Sequence, residues 1–149
     1  MDCARISSME NAPMKILVID DDPAMTDLLK LLLEPASSSI FTANSGAEGV
    51  KMVQAKQPDV IILDLMMSEM DGWQVCKSVR AFSAVPILIL SALDSPGMVA
   101  AALDAGADDY LIKPVTSGVL LAHLNKLVWR TRLTQPPPQT QPLVKLPSL

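Results

Sequence analysis

The sequence predicts a doubly wound α/β sandwich, five βα units in strict alternation around one parallel sheet. Two observations carry this expectation. Apolar runs of about six residues recur between longer segments of helical period, and such runs read as strands buried on both faces. Crossovers between parallel strands are right-handed, so the intervening helices fall on both sides of the sheet. A chain of 149 residues, 50% hydrophobic, has material for one such domain with a real core and little beyond it.

The first strand is KILVID from Lys15. The helix after it starts at Pro23, a residue tolerated in the first turn, with Asp22 placed as its cap. Met25, Leu28, Leu29 and Leu32 line one face of this helix, the face expected to meet the core. SIFTA from Ser39 forms the second strand, and its helix runs from Ser45 to about Lys56, with Glu48 at capping-box spacing from Ser45. DVIILD from Asp59 is followed by a helix from near Asp71 to Arg80, and PILILS from Pro86 by one from Pro96 to Ala105 that stops at Gly106. DDYLIK from Asp108 leads into the last helix, from Thr116 to about Arg132. The domain is therefore expected over residues 15–132, with a flexible extension over 1–14. Residues 133–149 hold five of the twelve prolines and one charged residue, Lys145, the composition of an extended linker or a disordered tail.

Composition removes several classes of function. A net charge of -4 and a pI near 4.8 provide no basic field for a phosphate backbone, so direct nucleic-acid binding is not expected. Cys3 and Cys76 lie far apart without metal-ligand spacing, which fits reduced thiols. Cys76, mid-helix among apolar neighbours, is expected to be buried and inert. No apolar run reaches the ~20 residues of a membrane span, and the first residues lack a signal peptide's apolar centre. A cytoplasmic protein without membrane contact is expected.

The carboxyl ends of parallel strands share one edge, where open α/β folds bind ligands. Here the first strand ends in Asp20, Asp21 and Asp22, the third in Asp64, the fourth in Ser91 and the fifth in Lys113. Carboxylates that meet within a few ångströms raise one another's pKa unless a cation neutralises them. Hard oxygen ligands with room for water suit Mg²⁺. A lysine and a hydroxyl at the same spot can hold phosphoryl oxygens, since phosphoryl transfer needs charge neutralisation and positioning above all. Asp64 is then the nucleophile, taking the group as an acyl phosphate.

Four stretches, KILVIDDDP, PDVIILDLMMSEMDGWQVCKSVR, VPILILSAL and AGADDYLIKPV, together resemble the receiver domain of bacterial response regulators, similar to the chemotaxis regulator CheY. The resemblance covers roughly Lys15 to Arg132 and is nearest to the receivers of winged-helix (OmpR-type) regulators, which LLAHLNKLVWR matches. It implies strand order 2-1-3-4-5, the flavodoxin-like arrangement. It also implies Asp64 as phospho-acceptor from a sensor histidine kinase, and Mg²⁺ held by Asp20 or Asp21 with Asp64 and the carbonyl of Met66. Asp21 is expected as the direct ligand, Asp20 as the water-mediated one. Ser91 is implied as the switch hydroxyl, Tyr110 as the switch aromatic, Lys113 as the phosphoryl-binding cation, and Lys113–Pro114 as a cis bond. The domain is expected to act as a switch, not as a turnover enzyme, changing the face made by its fourth helix, fifth strand and fifth helix, through which homodimers can form.

The sequence departs from that pattern in places. Ser68 and Glu69 replace the proline and glycine of MMPGMDG, which implies a more mobile loop after Asp64. Val119 and His123 stand where charged residues are common, so a dimer through that face is expected to rest on apolar contact more than on ion pairs. Met66 and Leu93, two residues after Asp64 and Ser91, cannot orient a hydrolytic water, and a long-lived phosphorylated state follows.

Plainer readings stand beside these. Asp108 and Asp109 are expected to be a solvated strand entry, His123 a surface or boundary residue, and Trp73 and Trp129 half-buried on helices. The residues leave two other classes open. An interaction module without phosphorylation would fail to bind Mg²⁺. A phosphohydrolase of the HAD type would release phosphate steadily, but Ala24 stands where such enzymes resemble a threonine-type pattern and no cap domain is present.

Overall fold

The computed structural model describes residues 13–36 and 39–134. Five strands and five helices alternate: β1 (Lys15–Ile19), α1 (Pro23–Leu33), β2 (Ser39–Ala43), α2 (Gly46–Lys56), β3 (Val60–Leu63), α3 (Gly72–Arg80), β4 (Ile87–Ser91), α4 (Pro96–Asp104), β5 (Asp109–Ile112) and α5 (Ser117–Thr134). All strand pairs are parallel, in the order β2-β1-β3-β4-β5, as expected.

The sheet's two faces feed two cores. Leu17, Ile19, Ile61, Leu63, Ile87 and Ile89 pack with Val53, Val75, Val79 and Ala102 from α2, α3 and α4. The alternate residues Ile16, Val18, Val60, Ile62, Leu88 and Leu90 pack with Leu29 and Leu33 of α1 and Leu120, Leu124 and Leu127 of α5. Side chains alternate along a strand, so a sheet covered on both faces must be apolar at every position. In the central strands β1, β3 and β4 polar groups are thereby confined to the ends. In register, Ile19 pairs with Ala43 and Leu63, and Leu63 with Ile89, so β1, β2 and β3 finish level while β4 runs two residues further, to Ser91.

Local chemistry sets the boundaries. Asp22 caps α1, its Oδ1 accepting the Ala24 N–H at 3.0 Å. Ser45 caps α2 through the Glu48 N–H at 3.1 Å, but the Glu48 carboxylate reaches back to the Asn44 N–H and not to Ser45. The reciprocal box lies instead at α3, between Asp71 and Gln74. Gly106, at φ 116°, stops the chain from continuing α4.

Two expectations change. The buried side of α1 is Thr26, Leu29 and Leu33, whereas Leu28 and Leu32 are 49% and 41% exposed. Leucines at 28, 29, 31, 32 and 33 surround so much of the helix that apolar period cannot single out its inner face. Met14, placed in the flexible extension, is buried with the α1/α5 core, and the Pro13 carbonyl accepts from the Arg132 guanidinium. Asp108 is exposed at the strand entry, as expected, and is also bound there: Oδ2 accepts the Ile87 N–H at 2.8 Å and pairs with Arg80 at 2.7 Å. The expected tail 133–149 lies outside the described residues except for the last turn of α5, which runs to Thr134.

Arg80 ties two loops, α3–β4 and α4–β5, at the strand-entry edge. Its guanidinium donates to the carbonyls of Gly106, Ser83 and Val85 as well as to Asp108. Arg80→Met keeps the aliphatic stem and removes every donor. Stability should fall by about 1–2 kcal/mol, seen as a lower urea midpoint with an unchanged slope.

Candidate functional site

The acidic site grows directly from the ends of the central strands. The ladder continues one residue past each: the Asp20 N–H bonds the Ala43 carbonyl at 3.1 Å and the Asp64 N–H bonds the Ile19 carbonyl at 3.0 Å. Carboxylate oxygens of Asp20, Asp21 and Asp64 then lie within 4.8 Å of one another. Lys113, beyond the end of β5, brings its Nζ to 3.5 Å from Asp20 Oδ2 and 3.9 Å from Asp64 Oδ2. The Lys113–Pro114 bond is cis.

Each carboxylate has its own hydrogen bond. Asp20 Oδ1 accepts the Asp22 N–H at 3.0 Å, Asp64 Oδ1 the Met66 N–H at 3.2 Å, and Asp21 Oδ2 the Ser68 N–H at 3.1 Å. The loop containing Ser68 is thus tied to the acidic cluster, where sequence implied only added mobility. Asp20 is 4% exposed, and burial pushes its carboxyl above the usual carboxylate range. The charge of Asp64 adds to that rise, while the Asp22 N–H and the Lys113 ammonium oppose it.

Sequence reasoning passed over one strand end. Asn44 follows β2 on the same edge, and its Nδ2 donates to the Asp20 carbonyl at 2.9 Å and to Thr26 Oγ1 at 3.2 Å. Thr26 is buried and donates in turn to the Pro23 carbonyl. The signal was available: an amide directly after the second strand, beside the first.

The remaining candidates stand around one residue, Leu93. Ser91 ends β4 fully buried, and its Oγ accepts the Leu93 N–H at 3.3 Å. The Tyr110 hydroxyl donates to the Leu93 carbonyl at 2.6 Å, with its ring packed against the α2/α3/α4 core. On the next residue back, Asp109 Oδ2 lies 2.6 Å from His123 Nδ1 of α5, so both are held by a partner. Met98, Leu103, Ile112 and Val119 expose apolar surface across α4, β5 and α5. Cys76 is fully buried, and burial pushes its thiol up to about 11. Trp73 and Trp129 are half-buried.

Residues 16–125 match the family model described as the response regulator receiver domain. The chain belongs to that family. A curated relative, the response regulator MprA of Mycobacterium leprae, is 43% identical over 120 residues, 80% of this chain and 53% of that protein. The chain thus spans about half the length of the curated relatives it matches. Among solved structures, the receiver domain of Francisella response regulator 1452 superposes with a TM-score of 0.74 at 35% identity, covering 79% of this chain and 98% of that one. A two-component response regulator from Clostridium difficile gives a TM-score of 0.74 at 32% identity, over 81% and 98% of the two chains. The chain is therefore a receiver domain of two-component systems, and the CheY-like strand order expected for it is present. Among the described residues, no helix is long and apolar enough to cross a membrane.

Proposed function

We propose that this receiver accepts a phosphoryl group on Asp64 from the phosphohistidine of a sensor histidine kinase. The observation that carries the reading is the convergence of Asp20, Asp21 and Asp64, whose oxygens lie within 4.8 Å of one another, on Lys113. One ammonium stands against two of the three carboxylates, those of Asp20 and Asp64. That donor set, with a buried Asp20 whose carboxyl is already pushed up, fits a hard divalent cation. Asp21, Asp64 and the Met66 carbonyl would hold Mg²⁺ directly, and Asp20 through water. When bound, Mg²⁺ offsets the negative charge that otherwise keeps a phosphoryl donor away from Asp64.

An Asp64 carboxylate oxygen attacks phosphorus; the phosphorus–nitrogen bond breaks, and its electron pair returns to the imidazole, which takes a proton from water. Lys113 neutralises a phosphoryl oxygen, and the Ser91 hydroxyl donates to another. Drawing Ser91 Oγ toward that oxygen withdraws it from the N–H of Leu93, the residue whose carbonyl accepts from the Tyr110 hydroxyl. Loop and ring then shift together. The consequence is a population shift of the face formed by α4, β5 and α5, toward kinase-controlled dimers or another partner. Exposed Met98, Leu103, Ile112 and Val119 favour apolar contact there. The domain works as a switch in the cytoplasm. The output activity is not encoded by the receiver's site.

Intact mass after incubation with acetyl phosphate and Mg²⁺ tests the reading. A gain of about 80 Da is expected, dependent on both Mg²⁺ and Asp64 and absent in Asp64→Ala. With Met66 and Leu93 flanking the site, the adduct should persist for minutes or longer after the donor is removed. Decay within seconds overturns the long lifetime, and no adduct on a folded chain overturns the phosphorylation itself.

A further inference from the structure

Asp21 differs from the other two acidic residues in how it is held. Asp20 is buried at a strand end, and Asp64 extends the β3 ladder. Asp21 is partly exposed on the loop before α1. Its carboxylate is held by the Ser68 N–H, a contact across 47 residues of sequence at 3.1 Å. A free aspartate side chain samples several staggered rotamers, and one charge-assisted hydrogen bond selects among them. The rotamer selected here is the one that brings Asp21 within 4.8 Å of Asp20 and Asp64. The bond uses one lone pair of Oδ2 and leaves Oδ1 open.

We propose that the main-chain amide of Ser68 is a positioning group: it pre-orients Asp21 for a divalent cation, and so couples cation binding to the shape of the loop between β3 and α3. This rests on the cation-binding reading given above. Because the donor belongs to the main chain, every residue except proline can supply it. Coupling of this kind is reciprocal. A partner that pulls the loop away from Asp21 weakens cation binding by the same factor by which the cation resists that partner. The same loop presents Met66, 62% exposed, and Glu69 to solvent, so a docking protein can reach it.

The test uses the full chain and Mg²⁺ alone, with affinity taken from calorimetric titration. Ser68→Ala keeps the amide and should bind within about twofold of the parent. Ser68→Pro removes the amide and should bind about three- to tenfold more weakly, the scale expected for freeing one side chain that had been ordered beforehand. A chain with an ester in place of the residue-68 amide removes the same donor without a proline ring and should match Ser68→Pro. That second variant decides the matter if proline disturbs the fold. Without metal, the Ser68 amide proton resonance should move upfield in Asp21→Asn, a change a purely steric role of the loop would not give. Proline and ester chains that bind Mg²⁺ as tightly as Ser68→Ala, or more tightly, overturn the positioning role alone. A parent chain that binds no Mg²⁺ overturns the cation site and the inference together.

Discussion

Gly72→Ala is expected to destabilise the domain by about 2–3 kcal/mol, at the upper end for one added methyl group. A Cβ on Gly72 would stand 2.7 Å from both the Asp64 carbonyl oxygen and the Leu65 Cα, and 2.8 Å from Leu65 Cδ2. Two of these three atoms belong to the main chain, so no rotamer change relieves them. The neighbouring structure gives little room, since Leu65 and Val75 are fully buried and the Gly72 N–H bonds the Leu65 carbonyl at 3.1 Å. Relief requires α3 to move away from the end of β3, which carries the proposed acceptor. The urea midpoint should therefore fall with its slope unchanged, and phosphorylation by acetyl phosphate should slow even where the variant is fully folded. Unchanged stability would mean that the start of α3 is far more compliant than its contacts imply.

The same junction shows which features the sequence carries openly. Strands buried on both faces are apolar without interruption, so VIIL and ILILS announce themselves, and the first polar residue reached along or just past each in chain order marks the edge that carries the acidic cluster. Asp64, Ser91 and Lys113 were legible for that reason, and the family pattern added the strand order. Features that depend on which side of a helix turns inward were not. Thr26 is buried on α1 while Leu31 is 68% exposed, the reverse of their hydrophobicity, because Thr26 satisfies its hydroxyl with the Pro23 carbonyl and Asn44. Main-chain partners were equally hidden: no side-chain pattern reveals that Ser68 offers its amide to Asp21. The pairing of exposed Asp108 with Arg80 was hidden because the two stand 28 residues apart, a distance at which pairing is set by the fold.

Asp20→Asn should raise the stability of the metal-free domain and weaken its response to Mg²⁺. The sign follows from burial. The Asp20 carboxyl sits above its ordinary value of 3.8, chiefly because the folded state removes it from water. A carboxyl whose folded-state pKa exceeds its unfolded value favours folding most below the unfolded value, and that advantage is lost as pH rises through the folded one. Near neutral pH the ionised group is therefore a cost to the metal-free fold, and Lys113 at 3.5 Å offsets it only in part. Asparagine retains an oxygen for the Asp22 N–H and removes the charge. Its melting temperature should exceed the parent's by a few degrees near neutral pH, the scale of about 1 kcal/mol in a domain of this size, with the difference closing toward about pH 4. Mg²⁺ should then invert the order. The parent, with all three carboxylates, gains stability in proportion to cation occupancy, whereas the variant should lose at least about tenfold in affinity, the scale seen when a group that supports a metal ligand is removed. Thermal melts with and without Mg²⁺ at both pH values separate the two effects. A variant that is less stable than the parent without metal would show that Lys113 and the Asp22 amide, and not desolvation, govern Asp20.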